Sequence, residues 1–146
     1  MAFKFNIGTK SGKTYKLEVE APALIDKAIK TIVKGEEISP ELSGYEFEIA
    51  GASDKSGFTS MENVEGVGLK RIILTYGKGM HKRTRKEGKK KVSNFKPAGL
   101  KLRKTVRGKL ISDAIVQINL KILKQGGKTL EEIFPEQVKV EAPKAE

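Results

Sequence analysis

Cysteine and tryptophan are absent from this chain of 146 residues, and histidine occurs once, at His81. No disulfide framework, thiol nucleophile or Cys-ligated metal is available, and one imidazole cannot build a histidine metal cluster. No cofactor site is expected. Aromatic residues make up only 6% of the chain. There is also no long, charge-free apolar run of the kind that crosses a membrane, and Met1, Ala2, Phe3 and Lys4 do not begin a secretory signal. A soluble cytoplasmic protein is expected. The length suits one domain with one core, without room for a separate catalytic unit.

Positive charge, in contrast, is abundant. Lys and Arg number 29 against 18 Asp and Glu, a net +11. The excess is local: Gly77 to Lys109 holds fourteen Lys and Arg and one acid, Glu87, for +13, while the other residues hold fifteen basic and seventeen acidic side chains, for −2. Such an excess selects polyanionic partners, nucleic acid first and anionic membrane second. The block contains no amphipathic helix, which argues against a membrane surface. Five glycines and Pro97 interrupt it and no apolar period runs through it, so a long, largely irregular basic loop over 77–109 is expected.

Around this block the patterns are those of strands. Phe3, Phe5 and Ile7, then Tyr15, Leu17 and Val19, alternate with polar residues on either side of Thr9 to Lys13, which predicts a hairpin. After Pro22, apolar residues at Leu24, Ile25, Ala28, Ile29, Ile32 and Val33 recur at spacings of three and four until Lys34 and Gly35, which predicts one amphipathic helix. Ser39 to Gly44 reads as a turn, Tyr45 to Ala50 as a strand and Gly51 to Phe58 as a polar loop. Leu69 to Thr75 predicts a strand, Thr105 to Asp113 another strand or half-strand broken near Gly108, and Val116 to Leu123 the clearest alternation in the chain. A short segment, Leu130 to Phe134, ends at Pro135, and the tail from Glu136 is expected to fray. The expected fold is mainly β: a small β-barrel or strongly curved antiparallel sheet with one short helix, in a single domain over 1–135 followed by a flexible tail over 136–146.

Enzymatic motifs fail on inspection. Gly8 to Thr14 resembles a phosphate-binding P-loop, but only three residues separate its glycines and a strand follows where a helix is needed. The Gly66/Gly68 and Gly77/Gly79 pairs lack the rest of a dinucleotide fingerprint. Adjacent acids such as Glu36/Glu37 and Glu131/Glu132 lie in polar stretches, with nothing placing them across a cleft. His81 has no nearby acid to orient it and suits stacking or a phosphate contact better than proton transfer. Phe95 serves a base stack or the core equally well. No small-molecule substrate is indicated.

Two motifs carry a resemblance. Asp54, Lys55, Ser56, Gly57 and Phe58 form one; Arg103, Lys104, Thr105, Val106, Arg107 and Gly108 form the other, followed by a strand ending at Lys124, Gln125, Gly126 and Gly127. In order and spacing they are similar to the small-subunit ribosomal protein family S six, eukaryotic type, over roughly Phe3 to Pro135. The chain departs from that pattern in an extra stretch, KKKVSNFKPA, between Lys86 and Gly99, and lacks the long serine-bearing C-terminal helix of eukaryotic members, so its length is of the archaeal kind. The resemblance implies a non-catalytic, β-barrel-like constituent of the small ribosomal subunit, with ribosomal RNA and neighbouring ribosomal proteins as partners.

The expected phosphate contacts are Arg83, Arg85, Arg103 and Arg107, whose planar forks can bridge two oxygens, with less directional charge from Lys55, Lys78, Lys82, Lys86, Lys89, Lys90, Lys91, Lys101, Lys104 and Lys109. A free-standing nucleic-acid chaperone or DNA-binding architectural protein is the alternative that the same block could serve.

Overall fold

The computed structural model describes residues 2–81, 84–85, 92–93 and 98–138. The predicted hairpin is formed by β1 (Phe3–Gly8) and β2 (Thr14–Val19), antiparallel, with Phe5 opposite Leu17 and Ile7 opposite Tyr15. Its turn closes through the Thr9 amide, which donates to the Lys13 carbonyl at 2.9 Å, and Gly12 supplies the left-handed conformation there, at φ +90°. The Gly8 to Thr14 segment is thus the hairpin connection that its alternating flanks predict.

Three further strands complete a sheet in the order β2-β1-β9-β4-β3: β3 (Ile32–Lys34), β4 (Glu46–Asp54) and β9 (Ile115–Lys124). The sheet is not closed into a barrel, since β2 and β3 remain its edges, and it is not purely antiparallel. β1 and β9 run parallel, with Phe5 beside Ile118 and Ile7 beside Leu120, because the chain makes its whole circuit between them. One face buries Phe3, Phe5, Ile7, Phe47, Ile49, Ile118, Leu120 and Ile122, all 4% exposed or less. Tyr45 and Phe47 stack with ring centroids 5.6 Å apart at its lower end.

The predicted helix over Leu24 to Val33 is absent. A 3-10 turn at Pro22–Leu24 gives way to a looped segment and then to β3. Its backbone donors reach across the fold: the amides of Asp26, Ile29 and Lys30 donate to the carbonyls of Ile111, Lys109 and Ile49, each at 2.9 Å. Asp26 and Lys30 sit at φ +64° and +74°, which no helix can accommodate. Leu24, Ile29 and Val33 are buried as the pattern requires, while Ile32 is 58% exposed. Irregular chain, with the turn Pro40–Leu42, therefore covers the apolar face where a helix was expected.

Other boundaries also move. The polar loop expected from Gly51 starts only after Asp54, because β4 continues through Gly51, Ala52 and Ser53 on the scaffold of β9. The basic loop is not irregular throughout: β8 (Leu102–Arg107) pairs with β5 (Leu69–Leu74) in a two-stranded ribbon, and β6 (Thr84–Arg85) pairs with β7 (Val92–Ser93). The half-strand expected from Thr105 thus begins earlier and ends at Arg107. The short segment ends before Pro135 as expected, since α1 (Leu130–Ile133) closes with Phe134 as its C-cap. Pro135 then opens a further short helix, α2 (Pro135–Val138), and the Gln137 side chain accepts from the Lys16 amide at 2.8 Å and donates to its carbonyl at 2.7 Å. The tail is docked to that point, and a side-chain amide occupies the open edge of β2 where another strand would otherwise add.

Gly108 follows β8 at a close crossing, where an added Cβ would lie 1.8 Å from the Gly66 carbonyl oxygen, whereas one at Gly68 would meet open space. Gly108→Ala should therefore destabilise the protein by at least the roughly 1–3 kcal/mol typical of overpacking. Gly68→Ala should melt close to the parent, with thermal unfolding followed by circular dichroism deciding between them.

Candidate nucleic-acid interface

The register of β5 and β8 sorts their side chains. Leu74 opposes Leu102, Ile72 opposes Lys104 and Lys70 opposes Val106 on one face. That face turns inward: Val106 is fully buried, and the Lys78–Gly79 turn packs against Leu74 and Val106. The other face carries Leu69, Arg71, Ile73, Arg103, Thr105 and Arg107. Ile73 is 60% and Leu69 48% exposed, and Arg71 and Arg103 are exposed beside them. Arg71 precedes the dense block and was not among the expected contacts. The strand that holds it was legible, but the pairing that sets it opposite Thr105, on the same face as Arg103, was not.

The ribbon is joined to the sheet by Asp54 and Arg107. Arg107 Nε donates to Asp54 Oδ2 at 2.8 Å, its Nη1 donates to the Val67 carbonyl at 3.2 Å, and the Phe58 amide donates to Asp54 Oδ1 at 2.8 Å. Gly57, at φ +84°, turns the chain so that its own amide reaches the Asp54 carbonyl. Burial by itself would raise the Asp54 carboxyl; the Arg107 hydrogen bond, the Phe58 amide and the Arg107 charge outweigh it and hold the group below its ordinary value. The two sequence motifs thus meet in space. Arg107 has an internal partner rather than an open fork, and its side chain is only 16% exposed.

The remaining cations differ in the same way. Lys109 pairs with Glu65 at 2.5 Å, and Lys70 donates to the Glu65 carbonyl at 2.9 Å. Lys78 donates to the Ala50 carbonyl at 3.2 Å, and burial, with Lys30 nearby, lowers its pKa against the opposing pull of Glu62. Lys55, Lys101 and Arg103 are exposed, and Lys104 is half-buried. Lys82, Arg83, Lys86, Lys89, Lys90, Lys91 and Phe95 lie outside the described residues, while the backbone of Arg85 belongs to β6. Among the described residues no cluster of His, Asp and Glu is suited to a metal ion, and no helix is long and apolar enough to cross a membrane.

Residues 3–135 match the family described as ribosomal protein S6e. The small ribosomal subunit protein eS6 of Methanococcus maripaludis (strain C6) is 38% identical over 127 residues, covering 86% of this chain and 90% of that protein. The protein of the same name from Methanosphaera stadtmanae is 41% identical over 132 residues, with 84% and 85% coverage. That of Archaeoglobus fulgidus is 35% identical over 130 residues, with 86% and 88% coverage.

Asp54→Ala should cost about 1.5–3 kcal/mol, the range for hydrogen bonds to charged groups. Because the folded carboxyl titrates below the unfolded one, near 3.9, its stabilisation is complete above that value and is lost as pH falls through the folded pKa. Urea unfolding at about pH 7 and about pH 2 should therefore show the gap between parent and variant narrowing in acid.

Proposed function

The chain belongs to the ribosomal protein S6e family, and from that premise we propose that it is a structural constituent of the small ribosomal subunit, in the cytoplasm, that holds ribosomal RNA through its basic segment. The single observation that carries this reading is the charge distribution: +13 between Gly77 and Lys109 against −2 elsewhere, in a chain without catalytic or metal-binding clusters in its sequence. Family membership supplies the assembly; the charge supplies the mode of contact.

The contacts proposed for RNA begin with the cations for which no internal partner is described. Arg71 and Arg103 project from one face of the ribbon, Lys101 enters β8, and Lys55 stands in the turn after β4. The cations from Lys82 to Lys91, with Arg85, extend the same charge in sequence. Arg107 and Lys109 act instead as supports, because Asp54 and Glu65 hold them. Lysine and arginine that neutralise phosphates release condensed counterions, so binding is strong at low salt and falls steeply as salt rises. Leu69 and Ile73, exposed between the arginines, support a contact with a neighbouring ribosomal protein on the same face.

Sedimentation of a lysate through a high-salt sucrose gradient tests the assignment. The protein is expected with the small subunit and is released by ribonuclease; recovery at the top of the gradient without ribonuclease overturns the reading. In a salt titration of purified protein with small-subunit ribosomal RNA, Arg71→Ala and Arg103→Ala should each lower the log–log slope by about 0.7–0.9 for every phosphate contact removed. Arg107→Lys should lower the melting temperature more than it alters that slope.

A further inference from the structure

The sheet face turned away from the core carries a cleft bordered by Lys78, Gly79 and His81. The pairing of β4 with β9 shifts register between Ile49 and Gly51, so Ala50 has no partner in the ladder, and its carbonyl accepts from Lys78 Nζ instead. Gly51 then faces Asn119 across the strands. An added Cβ at Gly51 would lie 3.6 Å from Lys78 Nζ, so the missing side chain makes the space over which Lys78 lies. The resulting cleft, of about 520 Å³, is lined by Ser53, Thr59, Lys78, His81 and Asn119 over a floor of glycine and alanine, and none of its lining residues is acidic.

Asn119 is oriented by its neighbours. Its Oδ1 accepts from Asn6 Nδ2 at 3.1 Å and from Gln117 Nε2 at 3.0 Å. With the carbonyl end committed twice, the NH2 end is the donor left for the cleft that Asn119 lines. The depression therefore combines an amide donor, two hydroxyls, an imidazole and the exposed Lys78 ammonium. This set suits a ligand that carries both an anion and planar hydrogen-bond acceptors.

We propose that this cleft receives one unpaired nucleotide of the bound RNA, with its phosphate on Lys78 and the acceptor edge of its base on Asn119 and Thr59. The inference rests on the RNA-binding reading above and adds a preference that charge alone cannot produce. Phosphate contacts position a protein on any RNA, whereas an unstacked base exposes the edges and faces that a pocket can read. His81 provides a flat surface for the base, a role in keeping with its lack of an orienting acid.

The test compares two RNA hairpins matched in charge and closed by the same non-nucleotide linker, one fully paired and one with a single bulged nucleotide, by fluorescence anisotropy with the full chain. The bulged hairpin should bind about tenfold more tightly, on the order of what one positioned base contributes. Asn119→Ala, an exposed substitution, and Gly51→Val, which fills the floor, should each bring the ratio of the two affinities toward one, with unchanged melting curves as evidence of folding. Equal affinity of the parent protein for both hairpins, or an undiminished ratio in both variants, would overturn the proposal while leaving the RNA-binding reading intact. Failure of the parent to bind either hairpin would overturn both.

Discussion

The contact between Asp54 and Arg107 is the constraint on which the arrangement depends. Asp54 closes β4 in the central sheet and Arg107 closes β8 in the ribbon, so the pair ties the body of the protein to the element that displays its charge. The carboxylate is 4% exposed, and a buried carboxylate is tolerated only with a counterion and hydrogen bonds. Arg107 and the Phe58 amide meet that requirement, and the Gly57 turn exists to bring the second donor into place. Around the pair the backbone is knitted further: the Arg107 amide donates to the Thr59 carbonyl, and the Met61 amide donates to that of Arg107, both at 3.0 Å. A ribbon of two strands is marginal by itself, and these bonds make it an extension of a larger sheet.

Charge in this molecule is segregated for a physical reason. On the body, Lys4 with Glu18, Lys30 with Glu48, Lys13 with Glu131 and Lys124 with Glu46 form surface pairs. Exposed pairs of this kind contribute little stability, about 0–1 kcal/mol each, but they cancel charge. The body is left near neutral, and the net field arises from the ribbon and the segment beyond it. A polyanion is thereby drawn to one region rather than held over the whole surface. Ligand geometry is then decided by which cations are already engaged, and this separates Arg103 from Arg107 although both lie in β8.

The sheet uses its two faces differently. One face is covered by irregular chain and carries the aromatic and branched residues of the core. The other holds the polar ladder of Asn6, Asn119 and Gln117, whose mutual hydrogen bonds make a rigid platform beneath the Lys78 turn. The bulge at Ala50 couples the two features, since the irregularity in β4 both frees a carbonyl for Lys78 and opens the cleft beside it.

Residue order is enough to place the hairpin, the turn at Ser39–Gly44, the strands with period-two alternation and the positive charge. Each of these depends on residues close together in the chain. The same order misread Leu24 to Val33 as a helix, because spacings of three and four record which residues are buried and not where the backbone hydrogen bonds go. Those bonds run to Ile111, Lys109 and Ile49, and the left-handed Asp26 and Lys30 exclude the helix that the spacing allows. Packing set the parallel β1–β9 pairing, the bounds of β8 and its pairing with β5, and the docking of Gln137 on β2. It also decided the role of each cation: along the chain Arg71, Arg103 and Arg107 look alike, and only the fold brings Asp54, 53 positions away, against one of them. Local chemistry sets propensity and charge, but partners distant in sequence are chosen by the packing that brings them within a few ångströms.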